Sequence, residues 1–199
     1  MGGNVTEERV ARILKECDAL LEGHFSYTSG RHGGQYFEKI RIVSDPAYVD
    51  ELGKMMAKTM EDLSTEIDLV CAPAHGAVVF GFSTALHMGK MFAFLQRDSR
   101  SKMIVRSGFR DLVDGSRVLL VEDVSTTGGS ILESIEALEN SGAKVVQAGL
   151  IVDRTNGRLQ LGVPYRALLG VDATSWDKEE CPLCRDGVPL TTPGSSGKK

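Results

Sequence analysis

Apolar residues recur along this chain in two rhythms, and their alternation predicts helix and strand in turn. Val10, Ile13, Leu14, Cys17 and Leu21 fall near helical spacing, so residues 5–21 read as an amphipathic helix with Thr6 as candidate N-cap. Asp45 and Pro46 open a second helix, Asp45 as cap and Pro46 at the first helical position. Leu52, Met55, Met56, Met60 and Leu63 give it an apolar face over 46–63. Short apolar runs at 68–74, 91–95, 118–124, 143–152 and 165–171 read as buried strands. Between the first two lies a helical stretch, 76–88, that Gly89 ends. After the third, Ile131, Leu132, Ile135 and Leu138 share one face and Gly142 follows as a C-terminal stop. Strands alternating with helices predict an α/β fold: a mostly parallel twisted sheet, flanked by helices on both faces, with its ligand at the carboxyl ends of the strands.

Three stretches fall outside this alternation. From Gly23 to Lys39, apolar and polar residues alternate around a Ser/Gly-rich turn at 29–34, the pattern of a hairpin or hood rather than a core element. The polar run 98–115 carries Arg100, Lys102, Arg106 and Arg110 and reads by composition as a solvated hairpin. Residues 191–199 are Gly/Ser-rich and read as a loose tail. The expectation is one domain over 1–190, with an N-terminal hood at about 1–45 and a tail at 191–199.

Charge and cysteine content narrow the class. A net charge of −4 argues against a general nucleic-acid binder. No apolar run approaches the ~20 residues of a membrane span, and no signal peptide opens the chain. The four cysteines do not make a secreted disulfide framework, so a cytoplasmic location is expected. Cys181 and Cys184 form a single C-x-x-C, two ligands where a structural zinc site wants four. Cys17 and Cys71, on a helix and a buried strand, are poor partners. The pair therefore reads as reduced thiols, with zinc shared between two chains as the alternative.

The chemistry concentrates at the end of the strand 118–124. Glu122 and Asp123 stand side by side, and Ser125, Thr126, Thr127, Gly128, Gly129 and Ser130 lead into the next helix. A tight loop of small residues lets backbone N–H groups approach an anion, and a helix N-terminus adds a favourable dipole. Two carboxylates can accept hydrogen bonds from vicinal hydroxyls. No Lys lies in the loop, so this is not a Walker A motif.

This thirteen-residue stretch closely resembles the signature of type I phosphoribosyltransferases, which bind 5-phosphoribosyl 1-diphosphate (PRPP). The run from Phe25 through Ser29-Gly30-Arg31 to Tyr36-Phe37 is similar to the N-terminal segment of the orotate phosphoribosyltransferases. The resemblance spans about residues 23–154. It implies the type I phosphoribosyltransferase fold, transfer of phosphoribose from PRPP to orotate in pyrimidine synthesis, Mg²⁺ held mainly by PRPP rather than by protein ligands, and a homodimer. It implies catalytic roles for Glu122 and Asp123, which hold the ribose hydroxyls, and for Arg97 and Lys102 at a mobile lid, the role it gives the run 98–115. PRPP falls to Ser125 through Ser130, to Ala74, His75 and Gly76 in the loop after the second strand, and to Arg100. His75 stays open between a diphosphate contact and a solvated loop position. Orotate falls to Tyr36, Phe37, Thr126 and Arg154, with Arg154 on the base carboxylate. The chain departs from the family where many members carry a Lys before the Ser-Gly pair and it has Thr28, and where many carry two Lys and a His in the lid. Two other readings stay open: a phosphoribosyltransferase for a purine, and a regulatory RNA-binding protein on the same fold.

Overall fold

A computed structural model describes residues 5–27 and 30–192 of the chain. In chain order the elements are α1 (Val5–Glu16), β1 (Leu20–Ser26), β2 (His32–Phe37), α2 (Ile40–Val43), α3 (Pro46–Thr59), β3 (Leu69–Pro73), α4 (Gly76–Met88), β4 (Met91–Arg97), β5 (Met103–Val105), α5 (Arg110–Val113), β6 (Arg117–Ser125), α6 (Gly129–Glu139), β7 (Lys144–Asp153), β8 (Tyr165–Gly170), β9 (Ser175–Trp176), α7 (Pro182–Arg185) and β10 (Leu190–Thr191).

The main sheet has six strands in the order β5-β4-β3-β6-β7-β8. Its strands pair in parallel except β5, which runs antiparallel at one edge. The central strands are buried on both faces. Val70, Leu119 and Val121 point into one apolar layer with Leu52, Met56 and Phe80 of α3 and α4. Leu69, Cys71 and Leu120 point into the other, with Ile131, Ile135 and Leu138 of α6. Period-two alternation along each strand therefore feeds two separate cores, and β3 and β6 read as continuous apolar runs because both of their faces are covered. Chain crossovers leave β3 and β6 in opposite directions, β3 toward β4 and β6 toward β7. The crevice where strand order reverses thus opens at the carboxyl ends of these two strands.

A second sheet, β10-β1-β2-β9, makes the hood. It differs from the expected N-terminal hood in being built from both ends of the chain. β10 pairs with β1 and β9 with β2, so Thr191 belongs to a strand rather than a tail; 193–199 lie outside the described residues, as does Thr28. The first helix also ends sooner than expected. Asp18 takes a left-handed backbone (φ 50°), and Leu20 and Leu21 begin β1.

The expected lid over 98–115 is held down over part of its length. Met103, Val105 and Val113 are buried and anchor it to the sheet through β5, while the turn 98–102 and most of 106–111 stay exposed. The alternation Met103-x-Val105 is a strand pattern too short to stand out against its charged surroundings.

The helix pair α3–α4 sets the position of the loop that opens α4. Gly53 lies against Ser83, whose side chain a Cβ at position 53 would overlap. Gly53→Ala gains about 1 kcal/mol of helix propensity but overpacks the contact, at a typical cost of ~1–3 kcal/mol. Its denaturation midpoint should fall below wild type in urea; a higher midpoint would show that the two helices can part without loss.

Candidate active site

Glu122 and Asp123 sit at the end of β6 and are almost fully buried. Burial pushes the Glu122 carboxyl up, and the adjacent Asp123 carboxylate adds to it, to about 8; the Asp123 amide, Lys39 and the Ser130 hydroxyl only partly oppose the rise. Glu122 is therefore largely protonated at neutral pH. Its Oε1 accepts from the Asp123 amide at 3.1 Å. Asp123 Oδ1 accepts from the Val124 amide at 2.6 Å and from Lys39 Nζ at 2.9 Å, while its Oδ2 is buried with no partner. Burial acts to lower the Lys39 ammonium, but Asp123 and Glu122 outweigh it and hold its pKa above the usual lysine value.

Two helix N-termini meet this pair. Gly76, first residue of α4, packs so closely that a Cβ there would overlap Asp123 Oδ2. Neither α4, entered through His75, nor α6, entered through Gly128, has a side-chain cap. Their first-turn N–H groups lack the satisfaction that Asp45 gives α3 by accepting from Ala47 N at 2.9 Å. Uncapped N–H groups and the helix dipoles give both ends the character that favours an anion. Gly128 has φ 79°, and a Cβ there would lie 2.8 Å from Leu161, so the turn into α6 requires glycine. Ser125 Oγ accepts from the Gly128 amide at 3.2 Å and closes the loop. Thr126, Thr127, Gly129 and Ser130 are exposed around it, and His75 is exposed at the mouth of the other loop beside half-buried Ala74.

On the third side lies Arg154, just past β7. Its guanidinium carbon is 5.1 Å from the Tyr27 ring centre and 5.2 Å from that of Phe37, and it donates to Tyr27 Oη at 3.2 Å. Arg154 Nε is buried without a partner. Asp153 is not its ion-pair partner. The Asp153 carboxylate accepts from the Thr155 amide and hydroxyl, the Gly157 amide and Tyr165 Oη, and so builds the turn that presents Arg154. Burial acts to raise the Asp153 pKa, and these donors outweigh it and hold it below the usual carboxylate range. The Arg154 amide donates to Ser125 O at 2.9 Å, tying this turn to the α6 loop. Tyr36 is half-buried against Phe25, with burial raising its hydroxyl pKa. Phe37 is buried and serves as the floor under Arg154.

The three expected lid cations stand apart from this cluster. Arg97 is in an ion pair with Glu133, one turn along α6, at 2.6 Å. Arg100 and Lys102 line a cleft with Glu133, Glu136 and Ala137 on the flank of the same helix. Sequence reasoning missed Lys39, whose partner lies 84 residues away. The only local signal is a cation directly after the aromatic pair of the hood.

The raised Glu122 pKa has a consequence for stability. Below about 4.5 its carboxyl is protonated in folded and unfolded chains alike. Between there and about 8 the folded chain keeps a proton that the unfolded chain has released, so this group's contribution to stability falls as pH rises through the window. Glu122→Gln cannot ionise. Its melting temperature should gain on wild type as pH is raised from about 5 to about 8; parallel pH profiles for the two proteins would contradict the assignment.

Comparison with known proteins agrees with this geometry. Residues 41–168 match the phosphoribosyl transferase domain. The chain is 39% identical over 190 residues to the orotate phosphoribosyltransferase of Thermotoga maritima, covering 96% of this chain and all of that one. It is 41% identical over 181 residues to that of Thermus thermophilus, covering 91% and 97%. The crystal structure of orotate phosphoribosyltransferase from Aeropyrum pernix superposes with a TM-score of 0.65 at 26% identity, over 81% of this chain and 93% of that one. Given a switch-point crevice holding a buried acidic pair between two uncapped helices, and relatives matched along nearly their whole length, this chain belongs to the phosphoribosyltransferases of the orotate family.

Proposed function

We infer that the protein transfers the 5-phosphoribosyl group from PRPP to orotate, giving orotidine 5′-monophosphate and diphosphate. The observation that carries this is the acidic pair between two helix N-termini without side-chain caps, with the unpaired edge of Arg154 beside it. The relatives favour orotate over the purine and RNA-binding alternatives.

The chain's groups divide the substrate between them. The α6 loop, Ser125 to Ser130, takes the 5′-phosphate on backbone N–H groups and on the Thr126, Thr127 and Ser130 hydroxyls. The α4 loop, Ala74 to Gly76, takes the diphosphate. Glu122 and Asp123 accept from the ribose 2′- and 3′-hydroxyls, which supply the donors that buried Asp123 Oδ2 lacks. Lys39 then lies beside the ribose rather than facing only Asp123. Arg154 meets the orotate carboxylate through Nε and a terminal nitrogen, a two-point contact that a Lys does not copy, and Tyr36 flanks the base.

In the transfer, orotate N1 bonds to ribose C1, the C1–O bond to diphosphate breaks with its electron pair on the leaving oxygen, and the N1 proton is given up. The fixed N–H groups of α4 stabilise the departing charge without reorganising. The Glu122–Asp123 carboxylates lie where positive charge develops on the sugar.

Mg²⁺ belongs to this reading. The acidic pair and the Ser/Thr hydroxyls offer oxygen, which suits a hard cation, and with Asp123 Oδ2 engaged by the ribose such an ion takes most of its ligands from PRPP and water. When bound it would neutralise charge on the diphosphate, with Asp123 and Glu122 holding the hydroxyls nearest it. A homodimer also belongs to it. Phe82 and Leu86 of α4 are 58% and 65% exposed beside Val78, Phe92 and Phe109, an apolar face suited to a second copy. Among the described residues no helix is long and apolar enough to cross a membrane. None of the four cysteines is in a disulfide, consistent with the cytoplasm as the place of reaction.

The test is a base panel with PRPP and Mg²⁺: orotate should be converted, while uracil, adenine and hypoxanthine should not. Turnover of a purine instead would sink the reading. Arg154→Ala should raise KM for orotate about 10- to 100-fold, the worth of a charge-assisted contact, and leave KM for PRPP near wild type. Arg154→Lys should recover little. A loss confined to PRPP would move the base site elsewhere.

A further inference from the structure

The C-x-x-C pair has the two partners that its sequence neighbourhood does not supply. His24 of β1, His32 of β2, Cys181 at the start of α7 and Cys184 within it bring one ligand atom each to a common point, all within 4.8 Å of one another. His24 Nε2 is 3.0 Å from His32 Nδ1, 3.5 Å from Cys181 Sγ and 3.6 Å from Cys184 Sγ. Cys184 Sγ is 3.2 Å from His32 Nδ1. Around a tetrahedral zinc, bonds of about 2.0–2.1 Å to nitrogen and about 2.3 Å to sulfur place neighbouring ligand atoms roughly 3.3–3.8 Å apart. The four side chains already stand near the corners of such a tetrahedron.

Local structure explains how they arrive there. In β1 the register slips between Glu22 and Phe25, so two residues there face one across the ladder. A bulge re-aims a side chain, and the consecutive residues His24 and Phe25 are both buried in a strand whose preceding Glu22 and Gly23 are exposed. On the other side, Pro182 opens α7, and one helical turn brings Cys184 back beside Cys181. His24 Nδ1 lies 2.8 Å from Val188 O and donates to it. That contact fixes the tautomer and leaves the Nε2 lone pair facing the cluster, the outer partner that ligating histidines ordinarily have. A single lone pair cannot serve an imidazole and two thiols at once, whereas one cation at the centre satisfies all four groups. His24, His32 and Cys181 are buried, and separations of 3.0–3.6 Å between the ligand atoms suit a small cation better than a water at the centre.

We propose that His24, His32, Cys181 and Cys184 bind one Zn²⁺ per chain as a closed structural site. Both thiols lose their protons on binding, and the two thiolates balance the charge of the ion. With four protein ligands no position is left for a substrate, so the site is structural rather than catalytic. It clamps the C-terminal segment, α7 and the strand β10 after it, onto the hairpin that carries Tyr27 and Tyr36. The ligands are separated by up to 160 residues of chain, so the clip closes a long loop. This replaces the reading of Cys181 and Cys184 as an idle reduced pair, and needs no second chain.

The test is metal analysis of untagged full-length protein by plasma mass spectrometry, with melting curves before and after a zinc chelator. One zinc per chain is expected, falling to none in Cys181→Ser with Cys184→Ser and in His32→Ala. Melting temperature should drop in parallel, and re-added zinc should restore it in wild type alone. Cobalt exchanged into wild type, which requires no variant to fold, should show thiolate-to-cobalt charge transfer and tetrahedral ligand-field bands. Wild type that takes up no stoichiometric zinc, cobalt bands of an octahedral site, a Cys181–Cys184 disulfide by thiol count, or equal zinc in the variants would each overturn the proposal.

Discussion

Two carboxyl groups buried side by side at the end of a parallel strand are costly, and the arrangement around them answers that cost. Glu122 keeps a proton and Asp123 takes the Lys39 ammonium. The uncapped ends of α4 and α6 supply positive dipole ends within the same crevice. Even so Asp123 Oδ2 is left without a donor. Unsatisfied acceptors between unsatisfied donors are complementary to a ligand that carries hydroxyls between phosphates. A site of this kind is preorganised for its ligand, and part of the stability it forgoes is recovered on binding.

The fold makes this possible by its strand order. β3 and β6 are neighbours whose connections leave in opposite directions, so their two following loops face each other across one crevice. Gly76 is needed because α4 begins in contact with Asp123, and Gly128 because the loop turns left-handed under Leu161. The hood closes the third side. Its hairpin brings Lys39 to the acidic pair and sets Tyr27 and Phe37 around Arg154. Because β9 and β10 flank that hairpin, the surroundings of Arg154 depend on both ends of the chain.

What the sequence made legible was what is local. The apolar runs of β3, β6 and β7 and the helical faces of α3, α4 and α6 lie close to where periodicity puts them, and the motif from Glu122 to Ser130 falls at the expected strand-to-helix turn. Relations across the chain were not legible. Lys39 carries no local mark of its pairing with Asp123. Asp153, next to Arg154 in sequence, satisfies a turn rather than pairing with it. The segment 98–115 is polar by composition, and three residues of strand were enough to anchor it at the sheet edge and to leave Arg97, Arg100 and Lys102 beside α6 rather than the acidic pair. The histidines that meet Cys181 and Cys184 are placed by a bulge and by strands of two residues, features below the resolution of any periodicity argument.

The central claim is that PRPP meets a site whose acidic pair holds a proton in its absence. Ribose hydroxyls and a ligand-borne cation beside Glu122 favour its ionised form, so binding must release that proton. Calorimetric titration of PRPP with Mg²⁺ near neutral pH, repeated in buffers of different ionisation enthalpy, counts the protons exchanged. Comparing wild type with Glu122→Gln removes the ligand's own titration from the count. The account predicts that wild type releases close to one more proton per site than the variant. Equal proton counts for the two proteins would contradict it.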